Sequence, residues 1–260
     1  MNRRWINIIG NGTKKIWVFP RMDYRGDIVS EFAIFNEFCD KAQFYIMDLP
    51  EKMIQESKTW DLIADLAKEV IGLVGTDIPH PDYIIGLSMG GMIAQELLFY
   101  KEFESIPVLV ISSNIWANVK LKAIFSSWLL VVKYFNVSAF DLVLSSWICV
   151  SSKLPIDNTE YFECVDEEEK KLATKKILLS LNSVARHDAR KLRELNKLNV
   201  TLWRGEKSVL ISQTEEDEFV KYVPSLKIIH APECGMRILS ENKKFVCDNL
   251  REFIQLGDEK

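Results

Sequence analysis

Short apolar runs and helix-period patterns alternate along most of this chain. Trp5 to Ile9 and Lys15 to Phe19 are two such runs separated by Gly10-Asn11-Gly12, and the pattern predicts two strands joined as a hairpin. A helix is predicted over about Ile28 to Cys39, followed by a buried strand from Phe44 to Met47 that ends at Asp48-Leu49-Pro50. Trp60, Ile63, Ala67, Val70 and Val74 then recur at helical spacing, with Ser57 or Thr59 expected as the cap and Gly75 as the stop. Tyr83 to Leu87 and Val108 to Ile111 read as buried strands, with the helical run Met92 to Leu98 between them.

The rhythm breaks after Asn114. From about Val119 to Phe162 the chain is rich in large apolar residues, among them Phe125, Trp128, Phe140 and Trp147, and no tandem strand recurs. This predicts a helical insertion. Asp166-Glu167-Glu168-Glu169 then places acids on the first turn of another helix, where the helix dipole favours them. Val200 to Trp203 and Leu226 to His230 read as the last two strands. Ser240 is expected to cap a final helix that turns Val246, Leu250, Phe253 and Ile254 inward. Strands separated by helices imply an α/β fold with a mostly parallel central sheet covered on both faces. The expected organisation is a core domain over 1–115 and 166–260, with a helical lid over 116–165.

Composition narrows the class. At 260 residues and 48% hydrophobic content, the chain can bury one large core. A net charge of −4 argues against a nucleic-acid-binding surface. The five cysteines (Cys39, Cys149, Cys164, Cys234 and Cys247) are odd in number and lack paired spacing, which predicts free thiols in a reducing compartment. Met1-Asn2-Arg3-Arg4-Trp5-Ile6 has no long apolar core, so no secretory signal is expected. The apolar run from Ala123 to Val132 stops at Lys133, too short for a membrane span. The expectation is a cytoplasmic protein without a cofactor or metal. No His/Cys/Asp cluster has ligand spacing, and no glycine-rich phosphate loop is present.

The chemistry concentrates in Gly86-Leu87-Ser88-Met89-Gly90-Gly91, between the strand Tyr83 to Leu87 and the following helical run. Strand, sharp turn with serine, then helix is the context of a G-x-S-x-G nucleophile elbow. With the elbow after a central strand and an insertion after the next one, the chain resembles the α/β-hydrolase family over nearly its whole length. That resemblance implies a serine that attacks a carbonyl carbon, a histidine that takes its proton, and an acid that orients the histidine. It also implies two backbone N–H groups that stabilise the oxyanion.

Carried over by motif, Ser88 holds the nucleophile position and the N–H of Met89 is one oxyanion donor. Pro20-Arg21 stands where the family often has His-Gly after an early strand, which leaves the N–H of Met22 as the second donor. Arg21 is expected to be a solvated loop cation, with pairing to an anionic ligand at the pocket mouth as the alternative. The acid position, in Gly205-Glu206-Lys207-Ser208, holds Ser208, which carries no charge to stabilise an imidazolium. The histidine position, in Pro232-Glu233-Cys234-Gly235-Met236, holds Met236, whose thioether is no base near neutral pH. Cys234 belongs to that motif rather than to catalysis. His80, His187 and His230 remain, and each is expected to be structural.

Three functions follow from these substitutions. The first is a degenerate, weakly or non-hydrolytic binder of a small apolar or acyl-type molecule, or of a protein partner. The second is an ester or thioester hydrolase whose base is supplied by His187, His230 or Glu206. The third is a cyclase or lyase that uses the pocket without covalent chemistry. The insertion could also form a homodimer surface.

Overall fold

The computed structural model describes residues 5–22, 32–56, 62–135, 140, 167–195 and 198–255. Seven strands form one sheet: β1 (Ile6–Ile9), β2 (Lys14–Phe19), β3 (Ala42–Met47), β4 (Tyr83–Leu87), β5 (Val108–Ile111), β6 (Val200–Gly205) and β7 (Lys227–Ala231). Their order is β1-β3-β2-β4-β5-β6-β7. Only the β1–β3 pair is antiparallel, and every other neighbouring pair is parallel. The central strands are apolar on both faces, as strands between two helical layers must be. In β5, Val108 and Val110 face one layer while Leu109 and Ile111 face the other, and all four are buried.

The first layer holds α1 (Glu51–Glu56), α2 (Leu62–Ile71), α3 (Met89–Leu97), α4 (Val119–Tyr134), α5 (Glu167–Arg186) and α6 (Gln213–Tyr222). The second holds a 3₁₀ turn (Ala33–Phe38), α7 (Ile238–Glu241) and α8 (Lys243–Phe253). α2 buries Leu62, Ile63, Leu66, Ala67 and Val70, each large side chain being worth roughly 1.5–3 kcal/mol of burial. The N–H of Leu62 donates to Ser183 Oγ of α5 at 2.9 Å, which ties the two helices together. Gly75 turns the chain after α2 with φ of 76°. Ser57, Thr59 and Trp60 lie outside the described residues, as do most of the insertion beyond α4 and the start of the helix expected from Ile28. Among the described residues no helix is long and apolar enough to cross a membrane.

Two expectations are corrected. β1 and β2 are not a hairpin, because β3 lies between them. Gly10-Asn11-Gly12 does not close a two-strand turn. It runs against the bend before β3, where the N–H groups of Asn11 and Gly12 donate to the Cys39 carbonyl at 2.9 and 3.2 Å. The final helix is also entered differently. Ser240 lies inside α7, its hydroxyl donating to the Arg237 carbonyl at 3.1 Å. α8 is capped by Asn242, whose Oδ1 accepts from the Phe245 N–H at 3.0 Å. Asparagine is among the strongest cap residues because its side chain satisfies an end N–H while the backbone stays non-helical.

This assignment predicts that Asn242→Ala lowers stability by about 1 kcal/mol in urea unfolding. Ser240→Ala should change it by less than about 0.5 kcal/mol. Equal effects would contradict the capping assignment.

Candidate functional site

The turn at Ser88 is built by close packing of backbones. β4 ends at Leu87, Ser88 takes φ 51° and ψ −114°, and α3 begins at Met89. The Ser88 N–H donates to the Ile111 carbonyl at 2.8 Å, which carries the β4–β5 ladder into the turn. A Cβ on Gly90 would sit 2.0 Å from the Phe19 carbonyl oxygen, and one on Gly86 would sit 2.3 Å from that of Gly90. Only glycine permits this approach. It brings Pro20, Arg21 and Met22, the loop after β2, against the start of α3. A non-glycine residue held at positive φ costs roughly 1–3 kcal/mol, and such strain clusters at functional sites.

Ser88 is half-buried and lines a cavity of about 80 Å³. Met22, Met89 and Met236 line the same cavity. So does Arg21, which is partly buried there, the location named by the pocket-mouth alternative. Most of the wall is apolar: Leu121, Phe125 and Trp128 come from α4, Leu181 and Val184 from α5, and Leu210 and Ile211 from the loop after β6. Among the described residues, no side chain hydrogen-bonds the Ser88 hydroxyl.

The structure does not bring Ser208 to this cavity. It is buried in the loop after β6, where its N–H donates to the Gly205 carbonyl at 3.0 Å and its Oγ accepts from the Ile211 N–H at 3.1 Å. The side chain shapes the turn that presents Leu210 and Ile211. Glu206 is exposed, and its carboxylate accepts from the Glu233 N–H at 3.3 Å, tying this loop to the one after β7. That second loop is held further by the Gly235 N–H donating to Glu241 at 2.7 Å and the Lys207 N–H donating to the Cys234 carbonyl at 2.9 Å. Burial, with Glu241, Glu206 and Glu233 nearby, pushes the Cys234 thiol up to about 11. It is therefore protonated and unreactive at neutral pH.

The chain has three histidines, all described, and none lines the cavity. His80 stacks on Phe103, ring centroids 5.2 Å apart, beyond the opposite end of β4 from Ser88. His230 Nε2 meets Glu216 Oε2 at 2.7 Å, and the same oxygen takes Arg204 Nε at 2.5 Å. His187 is buried, with Nε2 3.1 Å from Gln95 Oε1. Burial lowers its pKa to about 4, only partly offset by Asp188. The Gln95 carboxamide donates its own N–H to the Asn114 carbonyl at 3.1 Å, so its oxygen accepts from His187 and the neutral ring carries its proton on Nε2.

Sequence reasoning missed Ser112, Asn114 and Arg237, which also line the cavity. The available signal was position. Ser112 and Asn114 directly follow β5 as Ser88 follows β4, and adjacent parallel strands place their C-terminal ends side by side.

No protein-family model matches the chain, and no curated protein matches it. Solved structures do resemble it. A hydrolase from Oleispira antarctica superposes with a TM-score of 0.76 at 16% identity, over 97% of this chain and 95% of that one. MGS-M2, an α/β hydrolase from a deep-sea metagenome, gives 0.71 at 18% identity, over 96% and 94%. A thermophilic esterase from Thermogutta terrifontis gives 0.69 at 15% identity, over 96% and 92%. The chain has the α/β-hydrolase fold.

The His187 environment sets a pH dependence. Its folded pKa lies below the ordinary value of 6.5, so between those values the unfolded chain binds the extra proton. Stability is complete above about pH 6.5 and should fall by up to about 3 kcal/mol as pH drops toward 4. Urea unfolding across this range should show that slope in the native chain and a shallower one in His187→Gln. Equal slopes would exclude His187 as its source.

Proposed function

We propose that this chain is a degenerate α/β hydrolase that binds a small acyl-type molecule beside Ser88 and hydrolyses it weakly or not at all. The observation that carries this reading is that all three imidazoles are engaged away from the cavity, while the Ser88 hydroxyl has no hydrogen-bond partner among the described residues. Serine without a base is a weak nucleophile, and loss of triad members costs on the order of 10⁴–10⁶ in rate. In this reading Met236 stands in the histidine position and Ser208 in the acid position. The N–H groups of Met22 and Met89 polarise the ligand carbonyl, and segment 116–165 is a lid, of which α4 supplies cavity wall. Solved structures of the same fold include an α/β hydrolase and a thermophilic esterase, which supports an acyl-type ligand.

A second reading is an active ester hydrolase, favoured by the strained elbow, which keeps Ser88 presented to the cavity. The other candidate bases are poorly placed for it. Glu206 holds the loop after β7, and His187 faces Gln95.

Purified protein should turn over short aryl esters at least about 10⁴-fold more slowly than a complete serine esterase, and a fluorophosphonate probe should label Ser88 only slowly. Ser88-dependent turnover at ordinary esterase rates would overturn the proposal in favour of the second reading.

The double variant Met236→His with Ser208→Asp should gain at least tenfold in ester hydrolysis. No gain in a folded variant would contradict the positions assigned to those residues.

A further inference from the structure

The tripeptide Ser112-Ser113-Asn114 closes the end of β5, and it concentrates unsatisfied polarity. Ser112 and Asn114 are each only 2% exposed, yet Ser112 Oγ and Asn114 Nδ2 have no hydrogen-bond partner. Six side-chain nitrogen or oxygen atoms are in this condition among the described residues, and three of them belong to these three residues. Buried polar groups are nearly always paired, because an unmade hydrogen bond in a low-dielectric interior is expensive. Both Ser112 and Asn114 line the cavity beside Ser88.

The surrounding structure holds them in this condition. Ser112 takes φ 51°, as Ser88 does one strand away, and its N–H is fixed to the Trp203 carbonyl at 2.9 Å. The Asn114 carbonyl is held by Gln95 Nε2, and Gln95 is held in turn by the buried, neutral His187. The backbone therefore cannot easily turn either side chain toward a protein partner. Serine at positive φ is uncommon, and strain of this kind persists only where neighbouring packing enforces it.

From this we infer that Ser112 and Asn114 form the polar pole of a ligand subsite that takes a second acceptor oxygen on the acyl part of the bound molecule. The matching class is a short acyl compound carrying an oxo or hydroxyl group, in place of a plain alkyl acyl chain. Asn114 Nδ2 donates to that oxygen, and the Ser112 hydroxyl rotates to donate as well. The aromatic and aliphatic wall from α4 and α5 covers the remaining carbons. A cavity of about 80 Å³ suits a small occupant, the size of several water molecules. This inference rests on the reading of the cavity as the ligand site.

The test is a ligand-observed NMR titration with 3-oxobutanamide and butanamide, amides that a weak esterase leaves intact. The native chain should bind the oxo compound about tenfold more tightly, since the unsubstituted one leaves the buried donors unpaired. In Asn114→Leu the ratio should fall to about one, and Ser112→Ala should reduce it in the same direction. Equal affinities in the native chain, or a preference that survives both substitutions, would overturn the inference and leave the ligand-site reading intact. Binding of neither amide would overturn both.

Discussion

Contact between the Gly90 Cα and the carbonyl oxygens of Phe19 and Pro20 is the constraint around which this molecule is arranged. It draws the start of α3 onto the end of β2, and the turn between β4 and α3 must then be sharp. Ser88 absorbs that sharpness with a positive φ, anchored through its N–H to β5. The backbone thus lifts one hydroxyl above the C-terminal edge of a parallel sheet, where loops from β2, β5, β6 and β7 converge. α4 and α5 then cover the place with apolar side chains.

The convergence has an unusual chemical character. Among the described residues, His187, His230 and Glu206 are engaged in structural bonds. His187 is neutral and buried against Gln95, and His230 shares Glu216 with Arg204. Glu206 and Ser208 stabilise loops. What faces Ser88 is thioether, aliphatic and aromatic surface, with neutral donors from Ser112 and Asn114 and the guanidinium groups of Arg21 and Arg237. Among the described residues, no imidazole or carboxylate lines the cavity with Ser88.

Legibility in the sequence followed the range of the interactions involved. The seven strands and α2, α3 and α5 could be read because alternation and helical spacing are local patterns set by burial. The strand–turn–helix junction at Ser88 could be read because its glycines and serine are adjacent. The β1–β2 hairpin was misread because strand pairing is chosen by the whole sheet, and β3 outcompeted β2 for β1. Ser240 was misread because two cap-forming residues lie two positions apart, and only the break between α7 and α8 selects Asn242.

The sequence by itself determined the layered α/β architecture and the serine between a strand and a helix, because each is written in neighbouring residues. Only the tertiary structure decided that Ser208 is bonded within its own loop, that Arg21 lines the cavity, and that Ser112 and Asn114 line it with donors unpaired among the described residues. Those outcomes depend on which strand ends lie side by side and which backbone groups are already bonded, and both are properties of packing between distant segments.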